Sequence, residues 1–333
     1  MRPGTEFLKT VEQALESGQA ARTKSGFSLS WLGIAVLMLL SASGCRVWRR
    51  PPVGEALAGA RQLSLRGAES LQQEKWNDAE TYFSEALKES GMDERAHWGY
   101  AETMWKKGDR VLATAHMEEA VRLSGGNPDL TVRLGQMQLE QGKLDEAAKQ
   151  ATSALDTNRR HPGAWALQGD VLVAWQQWEK ALAAYHRALI YQPDFPAVQM
   201  AVAELYHRTK RPQRALATLD RLGDEHPLER MPVRAQWLRA ESLANLGRTR
   251  EAKQALANAE RRLASCDSDT MLAVARTRYA LGDISECHSL LVHMESMGIQ
   301  NAAVESLKQK VQTASFENQN LAKQSGDGDG RRR

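Results

Sequence analysis

What most constrains this chain is a period. Laid out in 34-residue frames that start at Ala60, Glu94, Pro128, Pro162 and Pro196, five consecutive units align without an insertion. The twentieth position reads Ala79, Ala113, Ala147, Ala181 and Ala215, and the eighth reads Gly67, Ala101, Gly135, Gly169 and Ala203. The twenty-seventh reads Ala86, Ala120, Ala154, Ala188 and Leu222, while the twenty-fourth is mostly larger, with Phe83, Met117, Ala151, Tyr185 and Leu219. Breakers fall near the unit ends at Gly91, Gly125, Pro193 and Pro227, and turn glycines at Gly108 and Gly142. After a three-residue slip the frame resumes at Val233, and a seventh, worn unit starts at Ser268. Self-similarity at a fixed spacing of this size belongs to stacked supersecondary units rather than to a globule.

Small residues at 8 and 20, a larger one at 24 and a small one at 27 give a pattern that resembles the tetratricopeptide repeat, whose period is 34. The run from Trp76 to Leu87 (WNDAETYFSEAL) carries the likeness most closely. The resemblance implies an all-α fold, an α-solenoid of about seven helix pairs. Each unit would be two antiparallel helices that approach closely where positions 8 and 20 meet, with position 24 filling the space beside them. A single unit cannot bury its apolar face, so stability is expected from stacking. The expected units are 60–93, 94–127, 128–161, 162–195, 196–229, 233–266 and 268–301, together a 60–301 solenoid. Apolar residues at Ala303, Val304, Leu307 and Val311 predict a capping helix over 302–316, and residues 317–333 read as a disordered tail.

The N-terminus has a different character. Phe27 to Cys45 is nineteen residues without a charge, and its most apolar part, Trp31 to Leu40, is ten long. Arg22 and Lys24 precede it and Ser41-Ala42-Ser43-Gly44-Cys45 closes it, the layout of a signal peptide. Its end resembles the lipobox of bacterial lipoproteins, which implies lipidation at Cys45 and export to the cell envelope. Nineteen helical residues also reach about 28 Å, near the thickness of a bilayer core, so an uncleaved single-pass anchor is the other reading. Either way, residues 1–45 are expected to hold the chain at a membrane, with 46–59 as a linker containing Pro51 and Pro52.

No chemistry of its own is expected. The eight histidines are scattered, and His288 and His293 are five apart, on different faces of a helix. HExxH, phosphate-loop, GxSxG and CxxC motifs are absent from the sequence. Cys266 and Cys287 lie about one helix length apart and are not expected to pair. A net charge of +3 from 44 basic and 41 acidic side chains gives no footprint for nucleic acid. The chain therefore reads as a non-enzyme without catalytic residues, metal site or cofactor, and no small-molecule substrate is expected.

What remains is surface. In the resembling family the first helix of each unit lines a concave groove, chiefly through positions 2, 5, 9, 12 and 13. That implies a partner-binding groove formed by Trp98, Glu102, Trp105, Val132, Gln136, Leu139, Asp170, Val173, Met200 and Glu204. Trp98 and Trp105 are two turns apart and share a face, while the position-9 residues Glu102, Gln136, Asp170 and Glu204 form an acidic or amide margin. Such a stripe suits a protein or peptide segment with apolar anchors and basic flanks. Trp165, Trp175, Trp178 and Trp237 are assigned to packing between helices. The resulting expectation is a membrane-tethered interaction scaffold. An assembly factor or chaperone for an envelope or secretion complex, and a glycan or cell-wall binder stacking sugars on Trp98 and Trp105, remain as alternatives.

Overall fold

The computed structural model describes residues 53–225, 231–263 and 266–327. Residues 1–45, with Cys45, lie outside the described residues. Every described element is helical, in the order α1 (Val53–Gln72), α2 (Trp76–Glu89), α3 (Glu94–Lys107), α4 (Arg110–Leu123), α5 (Pro128–Glu140), α6 (Leu144–Thr157), α7 (Pro162–Ala174), α8 (Trp178–Tyr191), α9 (Pro196–Arg208), α10 (Pro212–Glu225), α11 (Val233–Asn245), α12 (Thr249–Glu260), α13 (Ser268–Ala280), α14 (Ile284–Ser296) and α15 (Ala302–Asp327). These are seven helix pairs and a C-terminal helix. They fall into two compact units divided between Thr157 and Asn158. The first holds α1 to α6 and the second α7 to α15.

Local chemistry sets the helix ends. Asp93, Asp109, Asn127, His161 and Asp267 each accept a backbone N–H of the helix they precede, satisfying donors that have no partner inside the helix. Pro128, Pro162 and Pro196 stand in the first turn, where a missing N–H costs nothing. Between the two helices of every pair one residue turns left-handed: Glu74, Gly108, Gly142, Gln176, Lys210, Gly247 and Gly282, all at position 15 of the frame. Four are glycine. The other three adopt φ between 57° and 59° with a side chain present.

Packing explains the small residues. The position-20 residues Ala79, Ala113, Ala147, Ala181, Ala215, Ala252 and Cys287 are all fully buried, as are Ala86, Ala120, Ala154, Ala188 and Ala259 at position 27. Position 8 has a sharper role than closeness to position 20. A Cβ on Gly67 would lie 2.7 Å from the Phe83 ring, and one on Gly169 would lie 2.4 Å from the Tyr185 ring. Glycine stands at position 8 in the two units where position 24 is a ring. Gly99 completes the second wall around Phe83, because a Cβ there would come within 2.1 Å of the ring.

Two segments differ from expectation. Helix α1 begins at Val53, so much of the expected 46–59 linker is helical. Once Pro51 and Pro52 are passed, GEALAGAR contains no further breaker but glycine, and the helix begins about two turns before the frame start at Ala60. At the other end, α15 buries Val304, Leu307 and Val311 against the last pair, as a cap should, but continues to Asp327 through residues expected to form a tail. No proline or glycine interrupts the chain from Ala302 until Gly326, and Glu, Gln, Ala, Leu and Lys are good helix formers.

Candidate functional site

The first helices of the first unit, α1, α3 and α5, carry six of the ten groove residues expected from sequence. Ser64, at position 5 of the first repeat and within α1, is only 2% exposed and donates to Asp93 at 2.7 Å, joining α1 to the cap of α3. Between α3 and α5 the Arg133 guanidinium donates twice to the Glu102 carboxylate, at 2.6 and 2.8 Å. Burial works against the charge on Arg133, but this carboxylate outweighs it and raises the guanidinium pKa. Trp105 is 7% exposed, with the Arg110 guanidinium 3.9 Å from its ring centroid and that of Arg133 at 5.9 Å. Val132 is 6% exposed and Trp98 is half-buried against the same core. Solvent therefore meets the Glu102–Arg133 pair, Gln136 and Leu139, with the aromatic layer beneath.

In the second unit the corresponding helices are α7, α9, α11 and α13. Asp170 accepts from the Tyr185 hydroxyl at 2.6 Å, and burial raises its carboxyl above the usual range although that hydrogen bond opposes it. Val173 and Met200 are half-buried against the cores below them. Glu204 is ion-paired with Arg234 of α11. Trp237, at position 5 of the sixth unit, meets His207 edge-on at a centroid distance of 5.5 Å and donates its indole N–H to Thr277 of α13 at 3.0 Å. Thr277 lies 2.6 Å from the Glu241 carboxylate. Arg234 and Glu241 thus extend this surface past the slip, beside His207 at position 12 of the fifth unit, while Trp237 packs between helices as expected and borders the same surface. The frame itself was the available signal, carried beyond the slip at Val233.

Arginine against tryptophan recurs, with Arg187 over Trp165 at 4.5 Å and Arg208 over Trp178 at 5.1 Å. Trp175 does not pack between helices as expected. It follows the last residue of α7 and is 39% exposed.

Among the described residues no three His, Cys, Asp or Glu side chains gather as a metal-holding group. Cys266 and Cys287 are free, and burial pushes both thiols up, Cys287 to about 11. Neither has the lowered pKa of a nucleophile. No described helix is long and apolar enough to cross a membrane.

The arrangement of helix pairs and the small-residue code identify the class. The tetratricopeptide repeat-like domain family matches residues 26–207, more than half of the sequence, and the chain belongs to that family. Among solved structures it is similar to a tetratricopeptide repeat protein from Parabacteroides merdae ATCC 43184, at 13% identity and a TM-score of 0.57, covering 77% of this chain and 99% of that one. It is also similar to pilF of Pseudomonas aeruginosa, at 15% identity and 0.51, covering 78% and 99%. A third similarity is to the APC/C hetero-tetramer Cut9–Hcn1, at 16% and 0.55, covering 68% of this chain but 46% of that one. No curated protein matches the sequence. The fold so defined is a scaffold for protein–protein interaction.

Proposed function

We propose that this chain is a membrane-tethered scaffold that holds a segment of a partner protein along the faces of its first helices. The observation that carries the reading is the stitching of those faces. Glu102–Arg133, Glu204–Arg234 and the Trp237–Thr277–Glu241 chain each join one first helix to the next within a unit, so Gln136 and Leu139 are held in order in the first unit, and Met200 and His207 in the second. A preorganised row lowers the ordering cost of binding an extended or helical segment. Because Glu102 and Glu204 are already paired, recognition rests on apolar anchors and hydrogen bonds more than on attraction of basic flanks. Trp105 lies under Arg110 and offers no open ring face, which removes one of the two platforms a glycan binder would use.

The sequence supports the tether: Phe27 to Cys45 carries no charge, and its apolar core runs from Trp31 to Leu40. Lipidation of Cys45 in a bacterial cell envelope is the form of tether proposed. Intact mass of the mature chain tests it: a diacylated chain beginning at Cys45 is expected. Full-length unmodified protein recovered from the soluble fraction contradicts the tether.

For the surface, Leu139→Asp and Met200→Asp are expected to abolish partner recovery while circular dichroism is unchanged. Val111→Asp, on the exposed side of α4, is the control. Equal recovery by all three variants contradicts the reading.

A further inference from the structure

One cluster on the first unit joins the two helices of a single repeat outside the interaction surface. His97 on α3 and His116 on α4 bring their Nδ1 atoms to 3.0 Å, with ring centroids 5.1 Å apart and planes 31° from parallel. His97 Nε2 lies 3.3 Å from the Gly91 carbonyl oxygen, and the Tyr100 ring sits 4.6 Å from the far imidazole. Both histidines are half-buried, so the pair has a wall of protein on one side and solvent on the other.

The proton positions follow from the partners. A carbonyl oxygen only accepts, so His97 Nε2 carries the proton and its Nδ1 turns a lone pair toward His116. In the absence of a cation, His116 must donate across the 3.0 Å gap. A metal ion can take the place of that one proton. Two nitrogens 3.0 Å apart, each bonded at ~2.0 Å, subtend about 97° at the metal, whereas a tetrahedral angle needs a separation of about 3.3 Å. Neighbouring ligands near 90° suit the tetragonal geometry of Cu²⁺ and Ni²⁺. The Gly91 carbonyl then serves as the outer partner that fixes tautomer and ring direction for a ligating histidine. Glu119 lies one helical turn after His116, where the Arg122 guanidinium pairs with its carboxylate and lowers its pKa most, with smaller lowering by the two imidazoles.

We propose that His97 and His116 form a two-nitrogen binding site for a late first-row divalent cation, Cu²⁺ before Ni²⁺, with water completing the coordination. It would clip α3 to α4 inside one repeat, on side chains separate from the Glu102–Arg133 surface. Neither the 19-residue separation nor any motif marks the pair in sequence.

The test uses the full chain, stripped with chelator and titrated with CuCl₂ alone. One equivalent is expected to bind, with two-nitrogen hyperfine structure in the electron paramagnetic resonance spectrum and a rise in melting temperature. His97→Gln and His116→Gln, which retain helical packing, are each expected to weaken binding by about 10–100-fold and to abolish the melting shift. His288→Gln, at an exposed position on α14, should change nothing. Wild-type protein that takes up no copper at equimolar concentration overturns the proposal. So does copper bound equally by wild type and both histidine variants.

Discussion

Tryptophan occupies position 5 of the repeat in each compact unit, Trp98 in the first and Trp237 in the second, and the surroundings of the two are not alike. In the first unit the row is latched by charge. Glu102 and Arg133 close over an aromatic layer, and Trp105 is sealed beneath Arg110. In the second unit one latch is likewise charged, Glu204 with Arg234, whose guanidinium lies 5.9 Å from the Trp237 ring centroid, and hydrogen bonds supply the others: Tyr185 donates to Asp170, and Trp237 reaches across to Thr277. One repeat code therefore specifies the backbone while leaving the face to be built in two ways. The first unit presents a charged surface over buried rings. The second holds the Trp237 and His207 rings half-buried edge to face, beside the Glu204–Arg234 pair.

Core substitutions separate the units most strongly. Trp105→Ala removes a buried ring and is expected to cost about 3–5 kcal/mol, while Trp237→Ala, half-buried, costs about half as much. Denaturant unfolding of both variants checks this, and equal losses contradict the distinction drawn between them. The glycine–ring pairing comes next. Gly169→Ala is expected to cost about 1–3 kcal/mol because its Cβ meets Tyr185, and Tyr185→Leu in the same chain should recover part of the loss. Additive costs in the double variant would show that the two side chains do not compete for one space.

Charge gives a smaller contrast with opposite signs. Glu102→Gln weakens a partly exposed two-point ion pair, so a loss of about 1 kcal/mol that shrinks in high salt is expected. Asp170→Asn should be neutral or stabilising at pH 7. Burial raises the Asp170 carboxyl pKa in the fold, so its contribution is complete below the ordinary carboxylate value of about 4 and is lost as pH rises through the folded value. The stability of wild type relative to Asp170→Asn should therefore fall with rising pH across that window. Smallest of all, Gln176→Gly and Lys210→Gly relieve left-handed backbone in the second unit and should each add a few tenths to about 1 kcal/mol. In the first unit the same gain is expected at Glu74 alone, since Gly108 and Gly142 are already glycine there.

The repeat was legible in the sequence because packing forces it there. Alanine at position 20, and at position 27 in every unit but those carrying Leu222 and Met294, marks where the helices pack closely, and glycine beside Phe83 and Tyr185 records the ring it must admit. The left-handed turn showed through Gly108 and Gly142 but not through Glu74, Gln176 or Lys210, since stacking holds that backbone whatever residue stands there. Exposure at the surface was much less legible. Trp105 and Trp98 share a helical face, yet only the position of Arg110 on the next helix decides that Trp105 is covered. The acids at position 9 looked like an open margin because their partners, Arg133 and Arg234, lie 31 and 30 residues away. The extension of α15 follows propensity in a stretch without breakers, where composition had suggested a tail.

The claim that function resides on the first-helix faces is tested most directly by site-specific photocrosslinking in intact cells. A photoreactive residue is placed in turn at Gln136 and Met200 on those faces and at Val111 and Ile190 on the exposed sides of α4 and α8. The account expects one discrete partner adduct from Gln136 and Met200 and none from Val111 or Ile190. The same adduct from Val111 or Ile190, with none from Gln136 and Met200, would contradict it.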